Sequence, residues 1–369
     1  MSTPDADTYA LKTAALSVVP APDLPWQPPA PRHYRPRIGV IGAGGIVSAH
    51  LDAYRTAGWE VAAICNRTLE KAQAAATAFA PGAWVTDRYQ DILADPSIDV
   101  VDITPHPADR LPMLEAALQA GKHVLSQKPF VLDLADGARL VAMARDQGVK
   151  LAVNQNGRWA PHLSWMRHAV QAGLVGDVVG AHVAIHWNHG WVAGTPFDRI
   201  NDLILSDFGI HWFDFLHSIF GNRVQSVVAM ASTVTAQRAA VPLAAQVLLR
   251  VDGGQASLVF DGATGFGPQD STFITGTKGS LASHGPDLGQ QTVTLTTAAG
   301  RATAPLHGTW FNDGFRGAMG ALLVAVEDDT EPTNGAADNL HSLALTFAAV
   351  HSRRTGQEVA IGATTRLDL

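Results

Sequence analysis

A short apolar strand, Arg37-Ile-Gly-Val-Ile41, runs directly into Gly42-Ala-Gly44-Gly45 and then into a helical stretch from Ile46 to Ala57. No other feature constrains the fold as strongly. Gly42 permits a tight turn, Gly44 lets a pyrophosphate approach the backbone, and the helix aims its N-terminal amides at that phosphate. The third fingerprint position is Val47 rather than Gly or Ala, so the loop takes its meaning from the elements downstream of it. Glu60–Cys65, Ile98–Ile103, Lys122–Leu125 and Lys150–Val153 read as further strands, with helices at Leu69–Phe79, Leu111–Ala120 and Leu134–Asp146. Strands alternating with helices of ten or so residues imply βαβ units, hence a doubly wound parallel sheet with right-handed crossovers. The expected fold class is α/β, with a Rossmann domain over residues 37–156.

The 369 residues exceed one such domain, at roughly 150 residues each. Short β-rich runs at Val178–Trp187, Val224–Ala231, Ala244–Val251 and Gln255–Phe260 place a second domain over residues 157–369. Net charge −7 disfavours a nucleic-acid partner. No apolar run approaches the roughly 18 residues of a membrane span. The single Cys65 excludes an intrachain disulfide and fits a reducing, cytoplasmic setting. Residues 1–36 form a separate arm, holding eight of the 21 prolines and none of the 34 glycines. That composition suits extended backbone, either a disordered tail or an arm lying across its own or a neighbouring subunit with Trp26 as anchor.

The glycine loop makes Gly42, Gly44, Gly45 and Ile46 candidate cofactor contacts. NAD sites usually carry an acid at the end of the second strand, for the ribose hydroxyls. Here the strand ends Cys65-Asn66-Arg67. Asn66 can bind a ribose or phosphate oxygen, and Arg67 can pair with a 2′-phosphate, which favours NADP over NAD. The alternative is a merely solvated Arg67. Ser126-Gln127-Lys128-Pro129 succeeds a strand, and parallel-sheet ligands bind at the carboxyl ends of strands, so Lys128 is expected beside the nicotinamide. Further on, Asp207 and His211 lie four apart, with Ser206 as N-cap and Gly221 as the C-terminal stop of their helix. A carboxylate one turn before an imidazole can orient it for proton transfer. A capping aspartate beside a core histidine is the competing reading.

Taken together, Ile38-Gly-Val-Ile-Gly-Ala-Gly-Gly-Ile46, Ala120-Gly-Lys-His-Val-Leu-Ser-Gln-Lys-Pro129, Asn154-Gln-Asn-Gly-Arg-Trp-Ala-Pro161, Asp207-Phe-Gly-Ile-His211, Gly276-Thr-Lys-Gly-Ser280 and Asn339-Leu-His-Ser-Leu-Ala-Leu345 resemble the Gfo/Idh/MocA family of NAD(P)-dependent oxidoreductases. The resemblance implies an open, mainly antiparallel second sheet covered on one face by helices, and a last helix packed back on the first domain. It implies that Lys128 binds the reacting hydroxyl, that His211 is the acid/base, and that Asn154 and Arg158 line the cleft. Thr104, Pro105, Gln127 and Asn156 complete the expected cofactor contacts. It also implies a homodimer or homotetramer formed through the outer face of the open sheet. Gln127 stands where the family carries glutamate, Arg110 where histidine is common, and Asn201-Asp202-Leu203 where three glycines are usual.

The implied chemistry is hydride transfer between the nicotinamide and a carbinol of a sugar, cyclitol or related polyol. His211 takes the hydroxyl proton, Lys128 stabilises the alkoxide and Asp207 holds the imidazole. Five of nine tryptophans and seven of 15 histidines fall in Trp159–His217. Trp159, Trp187, His189, Trp191 and Arg199 are therefore candidate substrate contacts, against the alternative of core aromatics. No metal site is expected: His182 and His186 on one strand lie about 13 Å apart. Two other readings stay open, a nicotinamide-dependent glycosidase or sugar–sugar oxidoreductase with retained cofactor, and a non-enzymatic NAD(P) sensor. Lys128 with His211 argues against the sensor.

Overall fold

A computed structural model describes residues 16–368. The first sheet is built from β1 (Ile38–Ile41), β2 (Val61–Cys65), β3 (Trp84–Thr86), β4 (Val100–Ile103), β5 (His123–Gln127) and β6 (Leu151–Asn154). Its order is β3-β2-β1-β4-β5-β6 with every pair parallel, the doubly wound arrangement. Strands β1, β2, β4 and β6 are buried at every position, as expected of a sheet covered on both faces. The covering helices are α1 (Val47–Ala57), α2 (Leu69–Phe79), α3 (Tyr89–Ala94), α4 (Pro107–Gln119) and α5 (Leu134–Asp146). Strand β3 and helix α3 lack a clear periodic signal, being three and six residues long.

After α6 (Pro161–Gln171), the second sheet begins with β7 (Val178–His186). Helix α7 (Ile210–Phe220) precedes β8 (Val224–Ser232), β9 (Ala244–Val251), β10 (Gly254–Asp261), β11 (Gln269–Gly276), β12 (Gly279–Asp287), β13 (Gln290–Thr297) and β14 (Gly300–Thr303). Helices α8 (Trp310–Glu327) and α9 (Ala336–Thr355) and the short β15 (Val359–Ala360) end the chain. The sheet order is β14-β13-β12-β11-β7-β10-β9-β8-β15, antiparallel except for β7 beside β10. Strict alternation in β9 buries Ala245, Val247, Leu249 and Val251 on one face and exposes Gln246, Leu248 and Arg250 on the other. Helices α6, α7 and α9 cover the buried face. Helix α8 packs on α1 and β6, and α9 reaches α5, so the C-terminal helices tie the two sheets together.

The proline-rich segment from residue 16 onward is ordered against its own chain, which sets aside the disordered-tail reading for that stretch. Residues 1–15 lie outside the described residues. Val18 bridges Arg301 at β14, and the Ser164 hydroxyl donates to the Trp26 carbonyl at 2.6 Å. Trp26 is buried and meets the His307 ring edge-on. Pro29 packs so closely on α8 that only a glycine fits at 320, where a Cβ would stand 2.0 Å from the Pro29 carbonyl oxygen. Glu327 then accepts the backbone N–H groups of Arg32, His33 and Tyr34, which hold its carboxyl down at about 2.

Candidate active site

The glycine loop has the geometry that its residues dictate. Gly42 has φ +102°, and a Cβ there would stand 2.5 Å from the Thr104 hydroxyl oxygen and 2.9 Å from a Pro105 ring carbon. Thr104 donates to the carbonyls of Ile41 and Gly42, locking the loop onto β4. At Gly44 and Gly45 no described atom beyond their chain neighbours comes within 4 Å of a Cβ position, which leaves an open cradle. No side chain caps α1, and although the Val47 and Ala49 N–H groups turn back to the Gly44 and Ile46 carbonyls, the positive end of the helix faces this opening. This loop fits a dinucleotide pyrophosphate. Asn66 braces it, accepting the Ala43 N–H at 3.0 Å and donating to the Thr68 carbonyl. Arg67 is exposed, 3.6 Å from Asp109.

Strand β5 delivers Lys128 into a cavity of about 370 Å³, which also reaches Ile46, Thr104, Pro105, Gln127, Asn156 and His211. The Lys128 ammonium donates to both the carboxylate and the carbonyl of Asp207, each at 2.9 Å. This corrects one expectation: Asp207 grips the lysine, and it makes no hydrogen bond to His211. The cause is local. Residues Ile204–Phe208 form a π-helical turn, with the Gly209 N–H bonded to the Ile204 carbonyl at 2.7 Å. Asp207 therefore leaves the face on which an α-helix would stack it beneath His211. Nor does Ser206 cap the helix; its hydroxyl donates to the Asp202 carbonyl and α7 begins at Ile210.

His211 is held by packing. Trp310 meets its ring edge-on at 5.4 Å, and Trp212 does so from the other direction. A Cβ at Gly157 would crowd the Trp310 ring at 3.2 Å and reach van der Waals contact with the His211 Cβ and Nδ1. The buried Nδ1 has no hydrogen-bond partner among the described residues. Burial, then the Lys128 ammonium, push this imidazole well below its usual range, so it is a neutral base at neutral pH.

Behind Gln127 lies a buried network with no motif to announce it. Asp102 accepts from the Tyr54 hydroxyl at 2.6 Å and pairs with His50 Nδ1 at 2.7 Å. The Gln127 amide faces His50 Nε2 at 3.2 Å, while its Oε1 accepts the Lys128 N–H at 2.7 Å. Asn154 closes the network, 3.3 Å from both His50 and Gln127. Asn154 is thus fully buried beside β5, not a cleft residue as the resemblance implied.

Four other expected substrate contacts are also displaced. Arg158 is buried, clamped by Asp214 at 2.6 and 2.8 Å and by Asp338 at 2.7 Å. Trp159 packs in the core against α8, with Arg167 over its ring. Arg199 ends an exposed turn and does not line the cavity. His189 stacks under Trp187 instead of facing the larger space, and burial pushes it down to about 4. Trp187 and Trp191 do line the cavity, joined by Phe197, Ile200, Phe208 and Leu288. Trp310, whose indole N–H donates to Asn156 at 3.0 Å, was invisible to a reading centred on residues 159–217. Among the described residues no group of three or more His, Cys, Asp or Glu is placed to hold a metal.

A dinucleotide cradle opening onto a lysine and a neutral imidazole defines a nicotinamide-dependent oxidoreductase. Residues 36–155 match the oxidoreductase family with NAD-binding Rossmann fold, and residues 164–282 match the Gfo/Idh/MocA C-terminal domain. The chain belongs to the Gfo/Idh/MocA family. It is 29% identical to D-apiose dehydrogenase of Paraburkholderia graminis, over 87% of this chain and 88% of that one. It is 28% identical to 1,5-anhydro-D-fructose reductase of Ensifer adhaerens, over 88% and 98% respectively. Levoglucosan dehydrogenase in complex with NADH and levoglucosan shares the fold at a TM-score of 0.77 and 20% identity, covering 89% of this chain and all of that one.

Proposed function

We propose that this enzyme interconverts a carbinol and a carbonyl on a sugar, cyclitol or related polyol, with Lys128 and His211 as its catalytic residues. The observation that carries the reading is their convergence on a cavity that also reaches the glycine loop at Ile46 and Thr104. Gly42, Gly44 and Gly45 would hold the pyrophosphate, and Pro105, Gln127 and Asn156 would flank the nicotinamide, which when bound accepts or returns the hydride. His211, kept neutral by burial, takes the hydroxyl proton of the alcohol. The Lys128 ammonium stabilises the alkoxide that this creates, and Asp207 fixes where that ammonium sits. For reduction the same proton travels back from His211.

The missing carboxylate after β2 and the exposed Arg67 support NADP over NAD. A sugar and polyol panel run with each nucleotide, read by nicotinamide absorbance, tests both statements. Turnover lost in Lys128→Ala and His211→Ala is the expected result; a clear NAD preference overturns the reading of Arg67. The retained-cofactor alternative draws little support from the arm, since no described residue of 16–36 lines the cavity. The outward face of the second sheet exposes Met230, Leu248 and Phe273, which suits cover by a second copy of the chain. Light scattering on the purified protein tests that; a monomer at micromolar concentration overturns it.

A further inference from the structure

Resting on that catalytic reading, we propose a substrate class for this cavity: an uncharged sugar with a bare apolar face, such as an anhydrosugar, in preference to sugar acids, sugar phosphates and fully hydroxylated cyclitols.

Charge is the first discriminator. Lys128 and Arg110 are the cavity's lysine and arginine among the described residues. The Lys128 ammonium is already paired with Asp207. Arg110 is 1% exposed and directs its guanidinium at backbone, donating to the carbonyls of Pro105, Gln127 and Pro129. Burial lowers it to about 9, and those carbonyls leave it aimed away from the open space. His211 is kept neutral by its burial and by Lys128. His106 Nδ1 accepts the Ala108 N–H at the start of α4. Arg158 and Arg199 lie elsewhere. Among the lining residues a carboxylate or phosphate would meet no uncommitted lysine or arginine, and it would meet the Asp207 carboxylate as a like charge.

Hydroxyl count is the second. Most of the polar side chains that line the cavity are committed. Gln127 serves Lys128 and His50, Asn156 accepts from Trp310, and Ser206 donates to Asp202. The apolar wall is Trp187, Trp191, Phe197, Ile200, Phe208 and Leu288. Trp191 meets Phe197 edge-on at 5.6 Å and Phe208 at 6.3 Å, giving the wall a fixed shape. A hydroxyl pressed on that wall loses water and gains no partner, whereas a face of C–H groups stacks on it. The site therefore discriminates by what a sugar lacks.

The test compares kcat/KM for 1,6-anhydroglucose, glucose, myo-inositol, gluconate and glucose 6-phosphate, with NAD and with NADP. The anhydrosugar should exceed glucose and myo-inositol by about tenfold, the scale on which an apolar pocket sorts hydroxyls. Gluconate and the phosphate should fall about a hundredfold or more below it, the unpaired charge being the larger obstacle. Trp191→Ala should raise KM for the anhydrosugar about tenfold, leaving kcat and the NADH dissociation constant within about twofold. Phe197→Arg, which supplies a free cation at the wall, should raise gluconate turnover. Gluconate or the phosphate running within about threefold of the best neutral sugar overturns this class alone, as does myo-inositol outrunning the anhydrosugar. No turnover of any compound, with NADH still bound, removes the catalytic reading and the class with it.

Discussion

The two sides of the cavity were assembled by different means. The proposed cofactor side comes from two short runs: a strand end, the glycine loop and a helix N-terminus within Ile38–Val47, and Gln127-Lys128 at the end of β5. Its determinants are backbone ones, such as the positive φ at Gly42 and the absence of side chains at Gly44 and Gly45. The proposed substrate side gathers Trp187 and Trp191 from the segment after β7, Phe208 from a π-helical turn, Leu288 from the β12–β13 connection and Trp310 from the start of α8. Those determinants are side-chain shapes brought together only by the second sheet. Backbone requirements leave residue-type signatures at fixed spacing, whereas a wall of aromatics leaves none, because core aromatics have the same composition.

The sharpest way to break this contrast is to remove the two side chains that stand where the sides meet. Lys128→Ala and His211→Ala should each lower kcat by about 10²–10⁴, the range for losing an acid/base or oxyanion group. Nucleotide affinity should stay nearly unchanged, since neither residue belongs to the glycine cradle; fluorescence titration with NADH checks it. Activity surviving both changes would remove the junction altogether.

Next in size is Arg158, which the motif places in the cleft and the structure places beneath it. Arg158→Ala leaves the buried Asp214 carboxylate without its guanidinium, and should cost about 3–5 kcal/mol of stability. Denaturant melts measure it. If instead stability held while KM rose, Arg158 would belong to the substrate side after all. The same region should be sensitive to acid. Burial opposes ionisation of Asp338, but His217 and Arg158 outweigh it and hold the carboxyl below the usual range. That contribution is full above the ordinary carboxylate value of about 4 and fades as pH falls below it. His189, pushed down to about 4 by burial, begins to cost stability earlier, as pH falls through the ordinary imidazole value of about 6.5. Melting temperature should therefore decline in two stages, and His189→Asn should make the first shallower without abolishing it, since His211 and His162, also kept neutral by burial, contribute to it.

Gly42→Ala tests the cofactor side by itself. An alanine at φ +102° with its Cβ 2.5 Å from the Thr104 oxygen should cost about 1–3 kcal/mol in local strain. The loop must shift to relieve it, so NADH affinity should fall while the aromatic wall stays intact. Intrinsic tryptophan fluorescence unchanged beside weakened NADH binding is the expected pair of results.

How far the sequence reached obeys the same division. The parallel sheet, the glycine cradle and the placement of Lys128 and His211 were all legible, because βαβ alternation and loop-after-strand position are local patterns. The relation between Asp207 and His211 was not. Four-residue spacing implies stacking only on an α-helix, and one π-helical turn moved Asp207 to Lys128. Asn154, Arg158 and Trp159 sit in a polar, motif-like run, yet all three are buried, since β6 ends there and α8 closes over the turn. For arm residues 20–31 composition left a disordered tail and an arm anchored by Trp26 both open; Trp26 and Pro29 hold the segment by packing, which proline content alone cannot register.

The smallest expected effect probes whether the cofactor side depends on anything beyond backbone. His50 does not itself line the cavity, yet its ring connects Asp102 and Tyr54 to the Gln127 amide, and Gln127 holds the Lys128 N–H. Two replacements divide that ring. Asn reproduces the position of Nδ1 and keeps a donor for Asp102; Gln reaches the position of Nε2 and keeps a partner for Gln127. If His50 positions Lys128 through Gln127, His50→Gln should retain most of kcat and His50→Asn should lose about three- to tenfold, one weakened hydrogen bond's worth. Substrate KM and NADH affinity should hardly move in either. Equal losses in both variants, tracking a fall in melting temperature, would mean that the network only packs β5 against α1. In that case Lys128 would be placed by Asp207 alone, and the cofactor side would be as purely a matter of backbone as its glycines suggest.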